Sequence, residues 1–264
     1  MKLSCLLLLS SILFIGCSSD DDNTPEGPVT GEIYLPLSAG NYWTYDVESA
    51  TNAGRDSLYI ANDTVIAGNS YKKMKTRDLA FGFYSASLQN NGVRYDDGAV
   101  KVSGNAVLDF GQPFPINLPI TDFVMLRENA SDDQQLSLVT GTIEEDFGAF
   151  PLTIDYKLKS TAQATLPSYT TPNGDTYSDV KSVQMVLNVS VETINDDFGF
   201  PVTIQILAPQ DVVVSTSYFA KDIGMVYTHT VLSYELEDLP GGSLPIPSSA
   251  TELQEEFLDM YVVE

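Results

Sequence analysis

The chain has 264 residues, with 13 Lys and Arg against 36 Asp and Glu and a formal net charge of −23. That balance repels nucleic acid and anionic headgroups, so a phosphate-backbone partner is excluded. One histidine and two cysteines also leave too few ligands for a histidine-based zinc site. The length suits a single sizeable core, as in many β-sandwiches and barrels.

The N-terminus comes first. Lys2 supplies a positive start, and residues 6–15 are almost wholly apolar, ending Leu13-Phe14-Ile15-Gly16-Cys17. A bilayer core needs about 20 such residues, so this run is too short to cross and matches the apolar region of a signal peptide. Ordinary secretory cleavage wants Ala-x-Ala, which is absent from residues 1–30. The stretch resembles the bacterial lipoprotein signal, with Phe14 standing where that family usually has Leu, Val or Ile. The resemblance implies that residues 1–16 are cleaved as a signal peptide and that Cys17 is acylated, a palmitate-type lipid attachment. Cys5 is then lost and Cys17 used, so the mature chain keeps no disulfide, thiolate metal site or cysteine nucleophile. Ser18-Ser19-Asp20-Asp21-Asp22 resembles the export tag of Bacteroidota-type lipoproteins. It implies an outer-membrane location, lipid-anchored and facing outside. The other reading of residues 17–31 is a solvated acidic tether.

From residue 32 to 264 a single β domain is expected. Trp43, Tyr45 and Val47 alternate with Asp46 and Glu48. Leu152, Ile154, Tyr156 and Leu158 alternate with Thr153, Asp155, Lys157 and Lys159. Val183, Met185, Leu187, Val189 and Val191 share a third face. Period-2 patterns of this kind mark half-buried antiparallel strands. Asn91-Gly92, Asp97-Gly98 and Asn173-Gly174 read as hairpin turns, because a type I′ turn needs positive φ at both central positions. Three segments echo one another around Asp109-Phe110-Gly111, Asp146-Phe147-Gly148 and Asp197-Phe198-Gly199. Their unequal spacing argues for wide hairpins at one rim of a sheet rather than a solenoid. At the C-terminus, Ser249-Ala250-Thr251-Glu252 reads as a capping box. Leu253, Phe257 and Tyr261 recur every four residues, so a short helix is expected there. The expected fold is all-β, a curved antiparallel sheet or open half-barrel with that short C-terminal helix.

Three stretches carry a resemblance: Tyr34-Leu35-Pro36-Leu37 with Gly40-Asn41-Tyr42-Trp43-Thr44-Tyr45, then residues 173–181, then residues 218–226. Their order is similar to uncharacterised Bacteroidota lipoproteins with a curved sheet like the lipoprotein carrier LolA and its receptor LolB. The resemblance implies a half-barrel with an apolar concave side, and no catalytic residues.

Few residues offer chemistry. His229 would have to serve as the base of any Ser-His-Asp triad, and no Gly-x-Ser-x-Gly elbow is present. Asp96-Asp97, Asp132-Asp133, Glu144-Glu145-Asp146 and Asp196-Asp197 are adjacent acids, whereas glycoside hydrolysis needs carboxylates facing each other across a cleft. No cofactor is expected. Calcium stays open, since it takes carboxylate oxygens, although no Asp-x-Asp-x-Asp-Gly loop is present. Aromatics cluster early, and Trp43 and Tyr45 are the candidate ligand-binding residues, with core packing as the other reading. Asp56-Ser57-Leu58 and Asp63-Thr64-Val65 resemble short O-glycosylation acceptors. The reading is a non-catalytic, membrane-attached binding module for a glycan, a hydrophobic ligand or an outer-membrane protein partner. A carrier of acylated cargo comes second, and a carboxylate-based hydrolase third.

Overall fold

The computed structural model describes residues 31–108, 116–147, 150–195, 200–238 and 246–264. In chain order these form β1 (Tyr42–Ser49), β2 (Ala53–Ile66), β3 (Asn69–Thr76), α1 (Phe83–Leu88), β4 (Gly92–Asp96), β5 (Ala99–Leu108) and β6 (Ile116–Arg127). There follow β7 (Gln135–Phe147), β8 (Phe150–Thr170), β9 (Thr176–Asn195), β10 (Val202–Ala220), β11 (Gly224–Glu235) and β12 (Ser249–Val262). All twelve strands join one antiparallel sheet in the order β6-β5-β4-β3-β2-β1-β12-β11-β10-β9-β8-β7. The sheet curls until it is nearly closed, leaving a seam between edge strands β6 and β7. The curved all-β sheet expected from the alternation is therefore present.

The alternation explains which way each strand faces. Trp43, Tyr45 and Val47 are fully buried, while Asp46 and Glu48 are exposed. Ile154, Tyr156 and Leu158 are buried, while Asp155, Lys157 and Lys159 are exposed. Apolar side chains thus fill the inside and charge lies outside, the reverse of a barrel whose outer band meets lipid. Register shifts supply curvature. Bulges occur between Thr44 and Tyr45, between Ile60 and Asn62, between Ala162 and Thr165, and three times along β9–β10. Each extra residue bends its strand and tightens the twist, which curls a long sheet toward closure.

The expected C-terminal helix is absent: Ser249–Val262 is strand β12. It pairs with β1 on one side and β11 on the other, joining the first strand to the last ones. A four-residue apolar spacing is also a multiple of two, so Leu253 and Phe257 fit a strand face as well as a helix stripe. Two open strand edges needing hydrogen-bond partners settle the matter, because their unpaired backbone groups would otherwise be stranded.

The turn expectations divide. Asp97 and Gly98 both have positive φ, at 51° and 67°, and join β4 to β5. Asn173-Gly174 lies in a wider loop in which Thr171 N–H donates to Asp175 O. Asn91-Gly92 is not a hairpin. Asn90 takes the left-handed conformation (φ 64°) after α1, and Asn91 amide Nδ2 donates to Ser87 O at 2.7 Å and to Asn105 O at 2.9 Å. Helix ends and I′ turns both call for left-handed residues, so this sequence signal is shared. The sharpest β2–β3 turn is Ala67-Gly68, with φ 50° and 84°, which carries no asparagine to announce it.

The motif segments meet at one end of the sheet. Trp43 Nε1 donates to Ile223 O at 2.6 Å, and Asp222 N–H donates to Ile33 O at 2.7 Å. Lys221 N–H donates to Asp179 O, and the Lys181 ammonium sits 5.3 Å from the Tyr34 ring centroid. Gly224 has φ +120°, and a Cβ there would stand 2.9 Å from Trp43 Nε1, so glycine is required. The residues around the Asp-Phe-Gly echoes (109–115, 148–149, 196–199) lie outside the described residues. The strands before them, β5, β7 and β9, run in one direction and so end at a single rim of the sheet.

Candidate functional site

Helix α1 sits inside the curl, and strands hold its start. A six-residue helix leaves its first N–H groups unsatisfied, and Gly82 provides no side-chain cap. Asp56 of β2 accepts from Phe81 N–H at 2.9 Å and Gly82 N–H at 2.7 Å. Gln254 and Glu256 of β12 accept from Phe83 N–H and Tyr84 N–H, both at 2.6 Å. All of these acceptors are buried. Burial pushes the Glu256 carboxyl up to about 8, with the Asp56 charge adding to it and the Tyr84 and Ser85 N–H groups opposing. A Cβ at residue 82 would fall 2.3 Å from Glu256 Oε2, so Gly82 is what lets the two acids close on the helix. Asp56 and Glu256 thus converge on one helix start, and backbone N–H groups occupy both.

Trp43 and Tyr45, the candidate ligand-binding aromatics, are core residues with no exposed surface. Tyr45 meets Tyr84 edge-on, with ring centroids 5.8 Å apart, and Tyr84 meets Phe219 at 6.1 Å. The Tyr45 and Tyr84 hydroxyls are buried without a hydrogen-bond partner among the described residues, and burial raises both phenols well above their ordinary range. A narrow crevice of about 40 Å³ runs beside α1, lined by Phe83, Tyr84, Met125, Met185, Ser215 and Ser217, among others. Cys17 and residues Ser18 to Asp22 lie outside the described residues.

Asp96, Asp97 and Asp133 serve turns and ion pairs. Asp96 bonds Lys101, which holds it below the usual carboxylate range. Asp133 takes positive φ in the turn before β7, and Glu144 and Glu145 are exposed on β7. Asp196 and Asp197 lie outside the described residues. Among the described residues, no group of three or more His, Cys, Asp or Glu is placed to hold a metal. His229 stands on β11 opposite Thr216 and Glu255.

The outer face carries the accessible features. Arg94 holds Asp122 by two bonds of 3.0 and 2.9 Å and lies over the Tyr71 ring. That guanidinium, then Tyr71, keeps Asp122 well below its ordinary range. Tyr218, Tyr227 and Phe257 form a row on the face opposite Glu256, and Tyr169 stacks flat on Tyr218 at 4.1 Å. These rings mostly cover one another. A separate groove of about 250 Å³ opens over β1 and β2, lined by Gly40, Tyr42, Ser57, Tyr59, Ile60 and Arg77. Tyr42 lies directly opposite Tyr59, and Tyr59 opposite Lys75 in the next strand. Asp56-Ser57-Leu58 is mid-strand here, with Asp56 and Leu58 buried and Ser57 half-buried in the groove.

Neither the Asp56–Glu256 clamp nor this groove was visible in the sequence. The acids are 200 positions apart, and Tyr42, Tyr59 and Arg77 meet only through strand register. The nearest hint was Tyr42 and Tyr59, each standing at a polar-side position of an alternating strand. Compared with family models, curated proteins and solved structures, the chain finds no match.

Proposed function

We propose that this protein is a lipid-anchored lipoprotein of the outer membrane, displayed outward, whose β domain is a non-catalytic binding module. The observation that favours binding on the outside is the filled interior. Trp43, Tyr45 and Leu58 are fully buried and α1 occupies the lumen, so the accessible aromatic groove lies on the convex face. The Leu13–Cys17 segment and the acids after it support anchoring and display. One test takes intact cells carrying the full chain. Cys17→Ala releases the protein from membranes, and replacing Asp20, Asp21 and Asp22 with Ala abolishes its digestion by external protease. Unchanged membrane retention of the first variant, or unchanged digestion of the second, overturns the corresponding part.

A carrier of acylated cargo is the second reading, in line with the LolA-like resemblance. The two unpartnered tyrosine hydroxyls and the crevice beside α1 favour it. An acyl chain would need far more room than about 40 Å³, so α1 would have to leave the lumen. The likeness is one of fold, which by itself assigns no cargo.

A further inference from the structure

The groove over β1 and β2 has a charge opposite to that of the molecule. Of the four arginines, Arg55, Arg94 and Arg127 each hold a carboxylate within 4.0 Å. Arg77, which lines the groove, holds none among the described residues. Lys75, beside Tyr59, likewise has no carboxylate partner among the described residues. Lys157 and Lys159 on β8 also hold no carboxylate among the described residues, so what sets Arg77 and Lys75 apart is the pair of tyrosines beside them. Acids do border the groove: Asp78 is next in sequence to Arg77, and Asp259, which accepts from Thr44 Oγ1 at 3.0 Å opposite Ser57, is held together with Asp46 by Arg55.

The geometry supplies three kinds of contact at once. Tyr42 and Tyr59 lie side by side in register on the outer face, giving flat apolar surface with phenol hydroxyls at its edge. Ser57 lies two residues from Tyr59 on the same side, roughly 7 Å along the strand, and adds a hydroxyl. Arg77 follows Thr76, which pairs with Leu58, so its fork enters the same groove from the neighbouring strand. A guanidinium fork matches a carboxylate by two parallel bonds. Pockets for drug-sized ligands measure roughly 300–1,000 Å³, so a groove of about 250 Å³ suits a smaller unit such as one ring.

We infer that this groove binds a carboxylate-bearing sugar unit of a glycan. The ring stacks on Tyr42 and Tyr59, the carboxylate is held by Arg77 with Lys75 beside it, and a ring hydroxyl bonds Ser57. The inference rests on the binding-module reading above and names its ligand class.

The test uses the mature chain and calorimetric titration with trigalacturonate, against neutral galactotriose of the same length. Trigalacturonate is expected to bind and galactotriose to bind at least about tenfold more weakly. Arg77→Ala should lower trigalacturonate affinity about tenfold, and Tyr59→Ala by a similar factor, both with unchanged thermal melting. Lys75→Ala should lower it less and flatten its salt dependence. Equal binding of the two sugars, or trigalacturonate binding indifferent to Arg77→Glu, overturns the acidic-ligand assignment but leaves a glycan-binding module standing. Absence of trigalacturonate binding at millimolar concentration overturns it too. A separate screen of neutral glycans then decides whether the broader reading survives.

Discussion

Glu256 shows how one side chain couples fold to pH. Its carboxyl is buried, pushed up to about 8, and accepts the Tyr84 N–H. In the unfolded chain the same group ionises near its ordinary value of 4.5. The folded state therefore holds a proton that the unfolded state gives up between those values. The resulting stability is fully present below about 4.5, is lost as pH rises to about 8, and falls by at most roughly 1.4 kcal/mol per pH unit. Glu256→Gln keeps the acceptor for Tyr84 N–H and removes the titration. Urea midpoints measured from pH 5 to 9 should fall for the natural chain and stay nearly level for the variant. Parallel slopes in the two proteins would show that Glu256 does not carry this dependence. None of this was readable from Glu255-Glu256, which looks like an ordinary solvated pair. One of the two points out toward Tyr227 and the other in toward α1, as alternation on a strand requires.

Strand β12 matters most at the scale of elements. It satisfies β1 and β11 together, and it brings Gln254 and Glu256 to the start of α1. Without residues 249–264, a ladder of eight residue pairs with β1 and one of nine with β11 would open, and the helix N–H groups would lose two of their acceptors. A chain ending at Ser248 should show no cooperative urea transition, followed by far-UV circular dichroism. Adding the 249–264 peptide should restore one, because the vacated edges offer complete ladders to an incoming strand. A cooperative transition in the truncated chain alone would refute this closing role. Alternation made the strands at 42–49, 152–158 and 183–191 legible, because each has one apolar and one polar face. It failed for β12, where Leu253 is 41% exposed and Glu256 is 1% exposed. There the inward face is polar because it meets a helix terminus, and the hydrophobic pattern misleads.

At the scale of the whole molecule, the sheet stops just short of a barrel. The edge strands β6 and β7 form no ladder with each other, and β8 helps to bridge the gap: Ser160 Oγ donates to Val124 O at 2.6 Å. The loop before β7 adds Asp133 N–H to Ala162 O and Ala162 N–H to Gln134 O. Ser160→Ala should strand the buried Val124 carbonyl at a cost of about 1 kcal/mol. Hydrogen exchange should then speed up in β6 and remain unchanged in β10, whose partners on both sides are intact. Equal exchange in β6 before and after the substitution would show that the bond does not hold the seam. The nearly closed and filled curl leaves the groove of Tyr42, Tyr59 and Arg77 on its outer face.

The amino-acid sequence by itself determined the strand character of the domain, its inward and outward faces over most strands, and its overwhelming negative charge. Those properties are local or additive: alternation acts between neighbours two residues apart, and charge is a sum. Only the tertiary structure decided that the last segment is a strand and that Trp43 and Tyr45 are core. It alone brought Asp56 and Glu256 together on one helix terminus and set Arg77 and Lys75 beside two tyrosines, with no carboxylate on either among the described residues. Each of these depends on register between strands far apart in the chain. A polar residue is buried or exposed according to the partner that register brings to it, and no local pattern encodes that partner.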